Sequence, residues 1–341
     1  MTDTNRQWLL KERPSGMVGP EHFEKVEGPV PTPNLDAGEV LVKTLTLGFD
    51  PAMRGWIRDE RSYLPPVALG EPMRASGVGQ VIKSQNPDLP EGTLVQGLLN
   101  WQDYSIGDPA GLVPPRPLPE GISPNMALSV FGTTSLTAYF GLLDVGQPKA
   151  GETVLVSGAA GATGSVVAQI AKLKGCRVIG IAGGEDKCRW LMESCGLDGV
   201  IDYKRENLGE RLKVLCPNDV DVFFDNVGGD TLEAVIDRMA DFGRIVLCGA
   251  ISQYNAESPA PGPSNLMVLV ARRIRMEGFI VLDYLNRAEE AFTELGAWIM
   301  EGKIAWREDE QEGFDNIPAT LQRLYDGRNQ GKQLLKLADP Q

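Results

Sequence analysis

Thr153-Val154-Leu155-Val156-Ser157-Gly158-Ala159-Ala160-Gly161-Ala162-Thr163-Gly164-Ser165-Val166-Val167-Ala168-Gln169-Ile170-Ala171-Lys172 reads as a strand, a tight turn and a helix in immediate succession. Against the G-x-G-x-x-G pattern of nucleotide-binding turns, Ala159 stands at the first glycine while Gly161 and Gly164 keep their spacing. Gly161 lets backbone approach a pyrophosphate, and Gly164 lets the helix lie close against its strand. The N–H groups of the first helical turn, which have no partner within the helix, face the anion. A strand-to-helix turn that needs small residues for packing alone is the other reading; the β-α-β surroundings favour the dinucleotide.

Those surroundings are legible on both sides. Downstream, the apolar runs Val178-Ile179-Gly180-Ile181, Val220-Asp221-Val222-Phe223-Phe224 and Ile245-Val246-Leu247-Cys248 are too continuous for half-exposed strands. Helix-compatible segments at 163–174, 185–195 and 230–241 lie between them. Such alternation predicts a parallel sheet covered on both faces. Upstream, to about residue 130, short runs such as Glu39–Leu45, Gly77–Ile82 and Thr93–Gly97 alternate with Pro/Gly turns and predict an antiparallel β-rich domain. The texture changes after Ser123, where apolar residues take helical spacing. The tail adds a helix over Asn316–Tyr325 and a last apolar run, Gln333–Leu337, assigned back to the first domain. The expected division is residues 1–128 with 312–341, and 129–311.

The second strand of the nucleotide unit, Arg177–Ala182, decides which dinucleotide is bound. An Asp or Glu at its end would accept a hydrogen bond from the ribose 2′-hydroxyl of NAD. Gly183-Gly184 stands there instead, leaving room for a 2′-phosphate, and Lys187 supplies a cation. Glu185 and Asp186 are the complication, since either could repel that phosphate or take the NAD role. NADPH is the favoured reading.

Composition narrows the function classes. At 341 residues, the chain exceeds what one hydrophobic core usually serves, which points to two domains. A net charge of −13 with no basic run disfavours nucleic acid. Five scattered cysteines, Cys176, Cys188, Cys195, Cys216 and Cys248, lack disulfide spacing and suit a reducing compartment. The opening stretch MTDTNRQWLLKERPSG lacks the apolar core of a signal peptide, and no apolar run approaches the roughly 20 residues of a membrane span. A cytoplasmic protein is expected.

Catalytic zinc needs about three Cys, His or carboxylate ligands around an open position. Here His22 is the single histidine and no cysteine precedes Cys176, so the β-rich domain cannot build a Cys/His site and no metal is expected. His22 reads as a surface or hydrogen-bonded side chain, and the same scarcity disfavours Ser-His and Cys-His nucleophiles. The remaining proton donors are tyrosines. Tyr254 follows a strand end in Cys248-Gly249-Ala250-Ile251-Ser252-Gln253-Tyr254, where doubly wound sheets place their ligands; Tyr63, in Ser62-Tyr63-Leu64-Pro65-Pro66, is the donor candidate of the first domain. Either could instead be a half-buried aromatic with a satisfied hydroxyl. The run at 259–265, PAPGPSN, reads as a rigid lid or as a linker.

Taken together, Arg13-Pro14-Ser15-Gly16, Phe49-Asp50-Pro51-Ala52-Met53-Arg54-Gly55, the glycine turn, Phe224-Asp225-Asn226-Val227-Gly228-Gly229, Gly243-Arg244-Ile245, Cys248–Ser252 and Asn329-Gln330-Gly331-Lys332 resemble the zinc-free branch of the medium-chain dehydrogenase/reductase superfamily that holds prostaglandin reductase (leukotriene B4 12-hydroxydehydrogenase) and bacterial curcumin reductase. The resemblance implies an α/β fold, a Rossmann doubly wound parallel sheet inserted in a GroES-like β-rich domain, and a homodimer. It implies that Gly161, Ala162, Thr163 and Gly164 meet the pyrophosphate, Lys187 and Tyr203 the adenosine 2′-phosphate, and Asn226 the ribose. Cys248, Gly249, Ala250, Ile251, Ser252 and Tyr254, with Phe279, Ile280 and Val281, would line the nicotinamide half, and Asn329 would reach in from the C-terminal segment. Two departures stand out: Gly184 occupies a usually polar position, and Ala52 stands where tyrosine is frequent.

The chemistry so implied is reduction of the C=C bond of an α,β-unsaturated ketone or aldehyde by hydride addition to the β-carbon, with Tyr254, Tyr63 or the nicotinamide ribose hydroxyl stabilising the enolate oxygen and the α-carbon proton drawn from solvent. A quinone reductase or secondary-alcohol dehydrogenase using the same cofactor site is the rival; a non-catalytic, crystallin-like NADPH-binding protein is the remote alternative.

Overall fold

A computed structural model describes residues 4–111, 113–258 and 260–341; Pro259, at the head of the 259–265 run, lies outside them. The chain divides into two compact units, one running to Ser129 and resuming over Glu308–Gln341, the other Val130–Arg307.

In the first unit β1 (Thr4–Leu10) and β2 (Phe23–Pro29) form an antiparallel pair. A larger sheet follows from β3 (Val40–Phe49), the helical turn α1 (Met53–Trp56), β4 (Ser76–Lys83), β5 (Leu94–Leu98), β6 (Tyr104–Gly107), β7 (Arg116–Pro117) and the short helix α2 (Pro124–Leu128). β3 is buried along nearly its whole length because β4, β6 and a returning C-terminal strand pair with it. A Cβ on Gly79 would lie 2.5 Å from the Lys43 carbonyl oxygen, so the pairing of β3 with β4 depends on that glycine.

The second unit opens with α3 (Thr133–Phe140), prolonged by a wide turn over Gly141–Gly146. There follow β8 (Thr153–Ser157), α4 (Ala162–Leu173), β9 (Arg177–Ala182), α5 (Glu185–Glu193), β10 (Gly199–Asp202), α6 (Leu208–Leu215), β11 (Val220–Asp225), α7 (Gly229–Ile236), β12 (Met239–Leu247), α8 (Met267–Arg272), β13 (Arg275–Gly278) and α9 (Ala288–Met300). The strands pair in parallel in the order β10-β9-β8-β11-β12-β13. The order therefore reverses between β8 and β11, which makes the C-terminal ends of those two strands the crevice where doubly wound sheets bind ligands. Leu155, Ile179, Phe223, Val235 and Ile245 belong to the core of this unit.

The helix expected over 230–241 stops at Ile236. Leu232, Val235, Ile236 and Met239 keep helical spacing and share one core, but Met239 reaches it from a strand, paired with Val220 and followed by a bulge before Arg244 meets Val222. Pairing with β11 thus overrides the local pattern, and Phe242 is left at φ 62°, exposed at the bulge.

The chain returns to the first unit through β14 (Glu308–Glu312), α10 (Ile317–Tyr325) and β15 (Lys332–Lys336). β15 pairs antiparallel with β3 and parallel with β14, which places the return at Glu308 rather than at 312. Lys332, almost fully buried, donates to the Asp50 carboxylate at 2.6 Å and to the Phe49 carbonyl at 3.2 Å, and the Tyr325 hydroxyl donates to the Pro51 carbonyl. Two sequence motifs distant along the chain are joined by that ion pair. Removing one partner of a buried pair strands the other charge, at about 3 kcal/mol. Lys332→Met is expected to lower the urea midpoint by that order, and adding Asp50→Asn to recover part of the loss; a double mutant with no recovery would show that the pair does not couple.

Candidate functional site

The glycine turn follows β8 because its backbone needs conformations that side chains resist. The residue at positive φ is Gly158, at 58°, and not the position at which the sequence pattern places its first glycine. Ala159 is fully buried in ordinary conformation, facing Gly180 of β9, where an added Cβ would lie 3.0 Å from Ala159 Cβ. Alanine is thus tolerated at 159. Gly161 N–H donates to the Gly158 carbonyl at 3.0 Å, and Gly161 itself caps α4 without a side chain. A Cβ on Gly164 would sit 2.4 Å from the Gly158 oxygen and 2.9 Å from Ala159 Cα, so helix and turn approach as closely as glycine allows. Ala162, Thr163 and Gly164 occupy the first turn of α4, whose N–H groups helix geometry leaves for an anion. A backbone cradle of this kind fits the pyrophosphate of a dinucleotide.

At the end of β9, Gly183 lies beneath the ring of Tyr203, whose Cε1 would be 2.7 Å from a Cβ on residue 183. A side chain there would have to displace that ring. Gly184 adopts φ 98°, and its N–H is held by the Asp202 carboxylate at 2.9 Å; the same oxygen accepts from Lys204 N–H at 3.1 Å. Lys187 lies on the first turn of α5, partly exposed, and Tyr203 is 56% exposed. Of the two complicating acids, Glu185 accepts from Arg189 at 2.8 Å and from Arg205 at 3.4 Å, and these guanidiniums hold its carboxyl below the usual carboxylate range; Asp186, exposed, lies 3.5 Å from Arg189.

At the crevice between β8 and β11 a hydrogen-bonded node forms. Ser157 Oγ donates to Asp225 Oδ1 at 2.7 Å; Asn226 N–H donates to Ser157 Oγ at 2.8 Å and Asn226 Nδ2 to the Ser157 carbonyl at 2.7 Å. Asp225, fully buried, also accepts from Val227 N–H at 3.0 Å and Gly228 N–H at 3.1 Å. Burial pushes its carboxyl up, and the bonds from Val227, Ser157 and Gly228 oppose that shift. The segment after β12 hangs from this turn: Cys248 and Gly249 N–H donate to the Asp225 carbonyl, Ile251 N–H to that of Asn226, and Ser252 N–H and Oγ to that of Val227. Ala250 packs over Gly228, where a Cβ would lie 2.8 Å from Ala250 Cβ.

Tyr254 folds back on this segment, its hydroxyl oxygen accepting from Ala250 N–H at 3.2 Å above Gly249. Burial, with the Asp225 charge, pushes the Cys248 thiol up to about 12, so it stays protonated at neutral pH. Phe279 packs edge-on against Phe224 and Tyr284 and over Gly141, with Ile280 and Val281 half-buried beyond it.

The structure thus gathers Gly161–Gly164, Asn226, Cys248–Ser252 and Tyr254 along the C-terminal edge of one sheet, with Lys187 and Tyr203 at the end of β9. Tyr63 and Asn329 belong to the other unit. Tyr63 Oη accepts from Trp56 Nε1 at 2.7 Å, and burial pushes its phenol up, keeping the proton. Asn329 donates to the Gly331 carbonyl at 3.0 Å. His22 closes its own turn, Nδ1 lying 3.1 Å from Gly19 N. Among the described residues no group of three His, Cys, Asp or Glu side chains is placed to hold a metal.

Ser157, Asp225 and Asp202, which brace these turns by hydrogen bonds, are the residues whose positioning part the motif reading passed over. For Asp225 the signal was present, an acid closing the apolar run Val222-Phe223-Phe224 and followed by Asn-Val-Gly-Gly. Asp202 has none, because its role depends on β10 lying beside β9.

Comparison with known proteins accords with this geometry. Residues 6–114 match a family described as the N-terminal domain of oxidoreductase, and residues 162–299 one described as zinc-binding dehydrogenase. The chain is 43% identical over 339 residues to the NADPH-dependent curcumin reductase of Escherichia coli (strain K12), covering 98% of this chain and 97% of that one. It belongs to the medium-chain dehydrogenase/reductase superfamily, in the curcumin and prostaglandin reductase branch. The 2-alkenal reductase (NADP(+)-dependent) of Nicotiana tabacum is 38% identical over 98% of both chains. The crystal structure of CurA in complex with NADPH from Vibrio vulnificus superposes with a TM-score of 0.92 at 41% identity, over 98% of this chain and all of that one.

Gly164→Ala and Gly161→Ala should separate packing from binding. The first forces a methyl into backbone and is expected to lower thermal stability by about 1–3 kcal/mol. The second meets only the Gly158 oxygen at 3.2 Å, so it should keep the melting temperature while weakening NADPH binding in a fluorescence titration. Equal stability losses in both variants would contradict this division.

Proposed function

We propose that this protein uses NADPH to reduce the C=C bond of α,β-unsaturated ketones and aldehydes. The observation that carries the reading is the end-to-end likeness to the NADPH-dependent curcumin reductase, whose branch also holds the 2-alkenal reductase. The anion cradle at Gly161–Gly164 and a second strand that ends without a ribose-binding acid support it.

NADPH, when bound, supplies the hydride that adds to the β-carbon. The chain's own contribution is placement. Gly161, Ala162, Thr163 and Gly164 hold the pyrophosphate, Lys187 and Tyr203 the 2′-phosphate, and Asn226, braced on Ser157, the ribose. Cys248–Ser252, Tyr254 and Phe279–Val281 shape the nicotinamide half. As the substrate becomes an enolate, negative charge gathers on its carbonyl oxygen, and a positioned neutral phenol stabilises it without ionising. Tyr254 and Tyr63 are the candidates. The oxygen of each already accepts an N–H, from Ala250 and from Trp56, which polarises the phenol toward donating its own proton. The α-carbon proton comes from solvent.

The reading extends to a cytoplasmic homodimer. Five cysteines outside any disulfide suit a reducing compartment. β13 closes one edge of the parallel sheet, and in the same unit α8 buries none of its residues and leaves Met267 73% and Val270 66% exposed, an apolar surface that a second copy would cover.

Mixing the enzyme with a panel of enones and alkenals should consume NADPH absorbance, while simple alcohols with NADP should generate none. The reverse pattern contradicts the proposal. Replacing whichever tyrosine faces the carbonyl by Phe is expected to lower kcat about 100-fold with NADPH affinity unchanged; if neither Tyr63→Phe nor Tyr254→Phe does so, the ribose hydroxyl carries the role. Light scattering should give the dimer mass for the native chain and the monomer mass for the Met267→Glu, Val270→Glu double variant, and a native monomer would refute the assembly.

A further inference from the structure

The end of β9 carries more positive charge than the Lys187 and Tyr203 reading uses. Gly183 carries no side chain and lies under the ring of Tyr203, which any side chain there would have to displace, and the Asp202 carboxylate is committed to the backbone N–H groups of Gly184 and Lys204. The remaining acids at this turn are Glu185 and Asp186, the first two residues of α5; Asp186 is exposed and lies 3.5 Å from Arg189, which leaves Glu185 as the acid that faces Arg205. Glu185 is exposed, and alone it would oppose a 2′-phosphate. It is not alone: Arg189, one turn along the helix, donates to it at 2.8 Å, and Arg205, two residues beyond Tyr203, donates to its other oxygen at 3.4 Å. Arg205 also lies 3.9 Å from the second oxygen of Asp202. Its guanidinium, itself largely exposed, therefore stands beside the turn where a ribose 2′ group is expected, bound by two long contacts.

We propose that Arg205 is a specificity-determining residue for NADPH, held in place by Glu185 and Asp202 and transferred to the 2′-phosphate when the cofactor binds. The Glu185 pair is exposed on both sides and long at 3.4 Å, and the Asp202 contact, to a mostly buried carboxylate, is longer still at 3.9 Å; such contacts are weak and readily exchanged, whereas a guanidinium meets phosphate oxygens through two parallel charge-assisted bonds. Arg189 continues to neutralise Glu185 after the transfer, so the acid does not repel the phosphate. NADH has no 2′-phosphate to draw Arg205 away. Discrimination then comes from three parts: Gly183, under Tyr203, offers no acid that would favour NAD, Asp202 fixes the turn, and Arg205 rewards the extra phosphate.

The inference rests on the NADPH reading above, and the two can fail separately. The test is titration of the full chain with NADPH and with NADH, followed by nicotinamide fluorescence, for the native protein, Arg205→Ala, Arg205→Lys and Glu185→Gln, with melting temperatures measured in parallel. Loss of one charge-assisted pair should weaken NADPH binding by Arg205→Ala about tenfold or more, with NADH within about twofold of native. Arg205→Lys should fall between, and Glu185→Gln, which loosens Arg205, should tighten NADPH a few-fold and leave NADH unchanged. A native protein that binds both cofactors equally overturns the NADPH reading and this inference with it. A native preference for NADPH that survives Arg205→Ala overturns the inference alone, as does an equal loss for both cofactors.

Discussion

The buried carboxylate of Asp225 is the constraint around which the nucleotide-binding unit is arranged. It sits at the point where the strand order reverses, and it ties the end of β11 to the end of β8 through Ser157 while gathering the N–H groups of Val227 and Gly228. A carboxylate out of water is costly unless hydrogen-bonded, and here three donors from two strand ends offset part of that cost. The same turn offers its carbonyls to Cys248, Gly249, Ile251 and Ser252. One acid thus ties the end of β8, the turn at Asn226 and the segment after β12 to one another. These loops are held by hydrogen bonds at the strand ends.

Glycine at three positions completes the arrangement by letting backbones meet. Gly158 takes the positive φ, Gly164 brings α4 against the turn, and Gly183 admits the ring of Tyr203. Each contact is one that a single methyl would break, so these positions act through geometry rather than through chemistry of their own. The chemistry of the proposed reaction asks little more. An enolate is stabilised by hydrogen bonds from neutral donors, which phenols supply at neutral pH without a histidine.

Much of this was legible in the sequence. The continuous apolar runs gave a parallel sheet because strands buried on both faces carry no alternation, and Arg177–Ala182 has the bounds its pattern implied. The turn of apolar residues at 232–239 misled, since Met239 is helix-spaced yet strand-borne, and a pattern three residues apart does not reveal which element delivers a side chain to the core. Gly158 and Ala159 exchange roles relative to the motif because the pattern counts glycines and the backbone requires a conformation. Asp202 and Arg205 were beyond reach, for their meaning comes from β10 lying beside β9. Glu185, ambiguous as a letter, is resolved by two guanidiniums that the fold brings to it.

The central claim is that hydride goes to the β-carbon of a conjugated C=C bond. Turnover of a simple enone with NADPH carrying deuterium at the transferred position, followed by NMR of the product, tests it most directly. The account predicts a saturated ketone with deuterium on the β-carbon and a solvent proton on the α-carbon. An allylic alcohol with deuterium on the former carbonyl carbon would contradict it.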